Sequence, residues 1–161
     1  MRKRVYIETT IPSFYVETRP EPEMVARREW TRQWWNQESR HYSLASSLAV
    51  IEELEEGNHP NRNEALRLMQ PIVLLPIAEA IDAIVDEYVN RRVMPQDPKG
   101  DALHLALASY YRCHFLLTWN CRHLANANKF EHIRHVNADL GLFTPILTTP
   151  FELLDYEGEG R

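Results

Sequence analysis

With two cysteines in 161 residues, Cys113 and Cys121, the chain has too few for a disulfide scaffold, and both suit a reducing compartment where thiols stay unpaired. Glycine is scarce, at 5 residues. Neither G-x-x-x-x-G-K-S/T nor G-x-S-x-G occurs, which leaves phosphate-loop and nucleophile-elbow chemistry without support. No apolar run approaches the roughly 18 to 20 residues that a membrane span needs. The stretch VYIETTIPSF after the basic Met-Arg-Lys-Arg start is too short and too polar for a secretory core, so a cytoplasmic chain with no membrane association is expected. There is no low-complexity segment and no internal repeat. A positive charge excess is also missing: 18 Lys and Arg against 23 Asp and Glu give a net charge of −5, which argues against broad electrostatic attraction to nucleic acid. Any anion-binding face then needs a local basic patch, for which Arg2, Lys3, Arg4, Arg27, Arg28 and Arg32 are the candidates.

What remains is an ordinary globular composition, 44% apolar and 25% charged, expected to fold as a single domain over residues 1–161. Val5-Tyr6-Ile7 reads as a short buried strand. TRPEPEM (18–24) reads as a loop leading into a helix through about residue 38, with Trp30 and Trp34 on one face. HYSLAS (41–46) is a second strand. SLAVIEELEEG is a helix with Ser46 or Ser47 as N-cap and Gly57 as its stop. PNRNEALRLMQ is another short helix, and PIVLLPI (71–77) a short strand or buried connector. Ile77, Ile81, Ile84, Val85, Tyr88 and Val89 recur at helical spacing. QDPKGDALHLALASYYR opens a helix with Asp97 as N-cap and Pro98 at its first position. HFLLTW (114–119) is a buried strand, the stretch from Asn120 to Gly141 is largely helical, and TPILTTPFELL gives a last strand and a turn. Strands alternating with helices predict an α/β three-layer sandwich whose central, mostly parallel sheet is flanked by helices.

Three acids stand in suggestive places. Glu8 ends the first strand, where open α/β sheets bind ligands. Glu53 lies in the helix after the second strand, and Asp101 in the first turns of a helix that is otherwise apolar almost all round, at the end where the macrodipole favours an anion by about 0.3 to 1 kcal/mol. Each also has a plainer reading: Glu8 satisfied by backbone N–H groups or by Thr9 and Thr10, Glu53 as part of a solvated face, Asp101 as a helix-start residue. Together they point elsewhere. Two carboxylates about 4 Å apart repel by about 4 kcal/mol at an effective dielectric of 20, so a converging set needs a cation. Hard oxygen ligands select Mg²⁺ or Mn²⁺, an ion that activates water and clamps a phosphate in line.

In these features the chain resembles the PIN-domain family, and within it the VapC-type toxin ribonucleases. VYIETTIPS is similar to the family's first strand with its acid. SSLAVIEELEEG resembles the second motif, in which a Gly stands four positions after the acid, so that Glu53 rather than Glu52 matches. GDALHLALAS resembles the third, an Asp opening a helix rich in small residues, and FLLTWNCRHL the strand that leads to the last site residue. The resemblance implies Glu8, Glu53 and Asp101 as ligands of Mg²⁺ or Mn²⁺, with Asn120 completing the outer shell. It further implies an RNA substrate, hydrolysis of its phosphodiester bonds, a small antitoxin partner of the type II kind and a homodimer. Thr9 and Thr118 would fix ligands through their hydroxyls, and His104 either donates to a phosphate or is a buried, hydrogen-bonded core histidine.

Two departures from the family pattern matter. Glu8 stands where Asp is usual and reaches one methylene further. Asn120 and His123 stand where the family supplies another Asp, which predicts three negative charges rather than four and a weaker hold on metal. That weakening favours a rival reading, a PIN-like domain that works as a protein- or RNA-binding module, with the Trp30, Trp34 and Trp35 helix as its partner groove. A zinc site built from Cys113, His114, Cys121 and His123 is poorly served by its cysteine spacing.

Overall fold

The computed structural model describes residues 1–95 and 100–155. The Asp97 N-cap and Pro98 expected from the sequence lie outside the described residues. The chain runs β1 (Arg4–Ile7), α1 (Thr10–Tyr15), α2 (Pro22–Gln33), β2 (Ser43–Ser46), α3 (Leu48–Glu56), α4 (Arg62–Met69), β3 (Val73–Leu74), α5 (Glu79–Asn90), α6 (Asp101–Tyr110), β4 (Phe115–Leu117), α7 (Ala127–Asp139) and β5 (Ile146–Thr148). The α/β class holds: five strands in the order β3-β2-β1-β4-β5, all parallel, form a central sheet flanked by helices.

Parallel strands need crossovers, and buried parallel strands are apolar on both faces. Val5, Tyr6 and Ile7 accordingly have no exposed surface, nor do Leu116 and Leu117 beside them. Tyr6 sits in register with Ala45 on one side and Leu116 on the other. The strand order carries the functional consequence. Succession runs outward from β1 to β2 to β3, then returns across the sheet to β4 on the other side of β1. The crossovers therefore diverge between β1 and β4, and the crevice outside their carboxyl ends is the switch point where α/β folds bind ligands.

Helices α1 to α4 pack on one another, and α5 packs on α6. The latter pair is tied to α7 by a buried polar clasp, in which Tyr88 Oη donates to Asn137 Oδ1 at 2.6 Å and Asn137 Nδ2 donates to Ser109 Oγ at 3.0 Å. Burial pushes the Tyr88 hydroxyl up to about 12. Among the described residues no helix is long and apolar enough to cross a membrane.

Three segments differ from the sequence reading. The chain after β1 turns at once into α1, with Ile11 and Pro12 buried. PIVLLPI yields only Val73 and Leu74 as strand, 64% and 42% exposed, because β3 is an edge with β2 as its one neighbour. The stretch after β4 is not helical from Asn120. Asn120 Oδ1 accepts the backbone N–H groups of Arg122 and His123, and α7 begins only after Asn126, whose side chain accepts from Asn128 N at 3.0 Å. Side-chain capping of this kind competes with continuing a helix.

Both cysteines are free, Cys113 buried and Cys121 exposed, and burial pushes the Cys113 thiol up to about 11. Alkylation of the native protein at pH 8 is therefore expected to modify Cys121 alone, with Cys113 reacting only after denaturation; mass spectrometry reads the outcome. The loop after α1 is held by Glu17, whose carboxylate accepts from the Arg19 side chain and from the backbone of Thr18 and Arg19. The Arg19 hydrogen bond leads in holding Glu17 down at about 2, from an ordinary 4.5, although burial acts to raise it. A depressed acid contributes stability that is present above its unfolded value and disappears as pH falls through its folded value. The Tm difference between wild type and Glu17→Gln should be full above pH 4.5 and vanish near pH 2.

Candidate functional site

At the switch point the chain places a carboxylate that has almost no water. Glu8 follows β1 directly, is 4% exposed, and its backbone N–H continues the ladder to Leu117 O at 3.2 Å. Oε1 accepts from Thr10 N at 3.1 Å, Thr10 Oγ1 at 2.5 Å and Thr118 Oγ1 at 2.7 Å. Burial pushes the Glu8 carboxyl above its usual range, and the charge of His104 with these hydrogen bonds opposes the rise without reversing it. The start of α1 supplies Thr10 and the end of β4 supplies Thr118, so two elements adjoining β1 hold this one oxygen.

Glu53, on α3, is anchored the same way. Its Oε1 accepts from Thr9 Oγ1 at 2.8 Å and lies 2.5 Å from His104 Nε2. Its Oε2 reaches toward Gly100, where an added Cβ would come within 3.3 Å of it and where φ is +92°. The positive φ calls for glycine there, and a side chain would also make the Glu53 carboxylate give by a few tenths of an ångström. Burial acts to raise Glu53, but the hydrogen bond and charge of His104, with Thr9, outweigh it and hold the group below its usual range. Asp101 is the first residue of α6, and its Oδ1 accepts from Asn120 Nδ2 at 2.9 Å.

The fourth position has a specific job. The carbonyl oxygen of Asn120 is spent on Arg122 and His123, and its amide points at Asp101. It orients an acid rather than offering an oxygen of its own. His123 meets Asn120 through its backbone N–H.

His104 is the residue whose weight the sequence underplays. It is fully buried, bonded through Nδ1 to Tyr6 Oη at 2.7 Å, and Tyr6 Oη in turn shares a hydrogen bond with Ser47 Oγ at 2.8 Å. Burial alone would lower its pKa; the hydrogen bond to Glu53 and the charges of Glu53, Glu8 and Asp101 outweigh burial and raise it. The acids thus favour the charged form of His104, and it is a core histidine rather than a surface donor. Lys129 on α7 is a second cation near Asp101, its pKa lowered by burial while the Asp101 charge opposes. A lone lysine in a polar helix gives no sequence signal of this.

A hard divalent cation suits these donors by chemistry. Glu8, Glu53 and Asp101 each commit one oxygen, Oε1, Oε1 and Oδ1, to the protein contacts described above. Geometry is less complete: among the described residues no group of three His, Cys, Asp or Glu side chains is placed to hold a metal ion as it stands.

No protein-family model matches the chain, and no curated protein matches it by sequence. A solved structure does match: the crystal structure of VapBC2 from Rickettsia felis bound to a DNA fragment from their promoter. The match covers 91% of this chain and 98% of the VapBC2 chain, with a TM-score of 0.58 and 14% sequence identity. The two chains share a fold. At that identity VapBC2 speaks to the architecture, and the site above rests on this chain's own residues.

Thr118→Val keeps the shape and removes the hydroxyl that donates to buried Glu8 and accepts from Asn120 N. It should destabilise the protein by about 1 to 3 kcal/mol in urea unfolding, the cost of unmade buried hydrogen bonds. An unchanged midpoint would show that Glu8 does not depend on this bond.

Proposed function

We propose that this chain is a metal-dependent endoribonuclease that hydrolyses RNA phosphodiester bonds, the toxin of a type II toxin–antitoxin pair. The observation that supports the reading is that Glu8 just after β1, Glu53 on α3 and Asp101 at the start of α6 are all hydrogen-bonded around His104 and the segment after β4, in a fold shared with VapBC2. The four sequence motifs that resemble VapC-type toxins fall on β1, α3, α6 and β4 with the residues that follow it.

In this reading Glu8, Glu53 and Asp101 hold Mg²⁺ or Mn²⁺, which when bound supplies Lewis-acid activation of water and charge stabilisation at the phosphate. The chain's own residues do the rest. Thr10 and Thr118 fix Glu8, Thr9 and His104 fix Glu53, and Asn120 fixes Asp101, each through one carboxylate oxygen. His104 offsets part of the mutual repulsion of the acids, which lets them stay close before any cation arrives. Lys129, near Asp101, offers a positive charge to a phosphate. A small antitoxin protein covering this crevice and a homodimer are the partners proposed.

A second reading, a PIN-like binding module without catalysis, is favoured by the same His104 counter-charge and by the neutral Asn120. Cleavage of a mixed RNA pool separates the two. Wild type should cut with Mn²⁺ or Mg²⁺ and not in chelator, and Asp101→Asn should abolish the activity. Asn120→Ala should weaken the Mn²⁺ dependence by roughly 10- to 100-fold, the usual cost of losing a residue that orients a ligand. Absence of cleavage with either ion, together with no rise in Tm on adding Mn²⁺, would place the binding module first.

A further inference from the structure

Helix α2 carries Arg27, Arg28 and Arg32, and the fold treats them differently. Arg28 pairs with Glu29 at 3.0 Å and donates to the Glu17 carbonyl. Arg32 donates Nε to the Tyr15 carbonyl at 2.7 Å and lies over the Tyr15 ring. Arg27 forms no salt bridge and no side-chain hydrogen bond among the described residues. Its guanidinium carbon instead lies 5.3 Å from the centre of the Trp119 ring and 5.6 Å from that of Phe14. Stacking of this kind fixes a guanidinium while leaving its in-plane N–H donors unused.

The place of this arginine is set by the acid site. Trp119 lies between Thr118, which holds Glu8, and Asn120, which holds Asp101. Its backbone N–H donates to Thr10 Oγ1 at 2.8 Å and its indole Nε1 to Thr31 Oγ1 at 2.7 Å, so the ring cannot swing away. Trp30 stacks against it with centroids 6.1 Å apart. A half-buried arginine stacked on aromatic rings, with no ion-pair partner among the described residues, has donors to offer an anion. Because acids repel a polyanion, a strand approaching them needs such a cation beside it.

We propose that Arg27 binds a phosphate of a single-stranded RNA next to the carboxylate crevice, with the half-buried Phe14 and Trp30 rings as the apolar surface flanking that phosphate. The identity of the polyanion rests on the ribonuclease reading above. Cation and aromatic rings side by side are the usual means of gripping a single strand without reading its sequence.

The test is fluorescence anisotropy with a labelled, mixed-sequence single-stranded oligoribonucleotide, titrated at several salt concentrations. It is run once in chelator and once in Ca²⁺, so that binding is measured without cleavage. Arg27→Gln should weaken binding and make the log–log salt slope shallower by about 0.7, the value for one lost phosphate contact on a single strand. Arg27→Lys should keep the slope, because it keeps the charge. Arg134→Gln, in the middle of α7 and paired with Glu131, should change neither quantity. Circular dichroism confirms that each variant is folded.

A slope unchanged in Arg27→Gln would overturn the proposal and leave the arginine to a carboxylate of a protein partner. Equal loss of slope in Arg27→Gln and Arg27→Lys would overturn it too, since the arginine would then serve the aromatic packing. So would the absence of RNA binding by wild type in both conditions. Arg27-dependent binding without cleavage by wild type in Mn²⁺ would sustain the inference and sink the nuclease reading.

Discussion

A carboxylate buried at the carboxyl end of the central strand is the constraint around which this molecule is arranged. An ionised acid out of water is costly unless it is hydrogen-bonded or paired. Glu8 meets that demand with one donor near in the chain and one far from it, Thr10 two residues on and Thr118 just after the neighbouring strand β4. Those bonds then dictate other features. Thr10 must begin a helix at once for its hydroxyl and backbone N–H to turn back onto Glu8. Its hydroxyl also accepts from Trp119, which stitches the start of α1 to the end of β4.

The second constraint is charge. Glu8, Glu53 and Asp101 cannot be brought to one crevice without opposing charge, and the protein carries some of its own. His104 is anchored through Tyr6 to Ser47, so the counter-charge is wired into the core strand β1 and the start of α3. Three acidic side chains outnumber the one histidine that answers them there. Two further cations, Arg27 and Lys129, come from α2 and α7. A chain of net charge −5 can thus keep positive charge where an anion would meet it while remaining acidic elsewhere.

The fold itself needs little beyond pattern. The runs at Val5–Ile7 and Phe115–Leu117 are apolar because both faces of a parallel strand are buried. Where local signals are weaker than their surroundings, the sequence misleads: Val73 and Leu74 are as apolar as a core strand yet lie at the sheet edge. The stretch after Asn120 has helical composition, but its asparagines cap and turn the backbone first.

The sequence by itself determined the α/β class, the strands and helices that carry the acids, and the choice of Glu8, Glu53, Asp101 and Asn120 as residues worth following. The class and the acids are local properties, read from periodicity and from acids set in apolar surroundings; Asn120, and Glu53 rather than Glu52, followed from the resemblance to the family's motifs. Only the tertiary structure decided how those residues are used. That Asn120 turns its amide to Asp101, that His104 pairs with Glu53, and that Arg27 lies over Trp119 are relations between elements far apart in the chain. Which hydroxyl, imidazole or ring a side chain meets depends on the strand order that brings β1 and β4 together, and no spacing along the sequence encodes it.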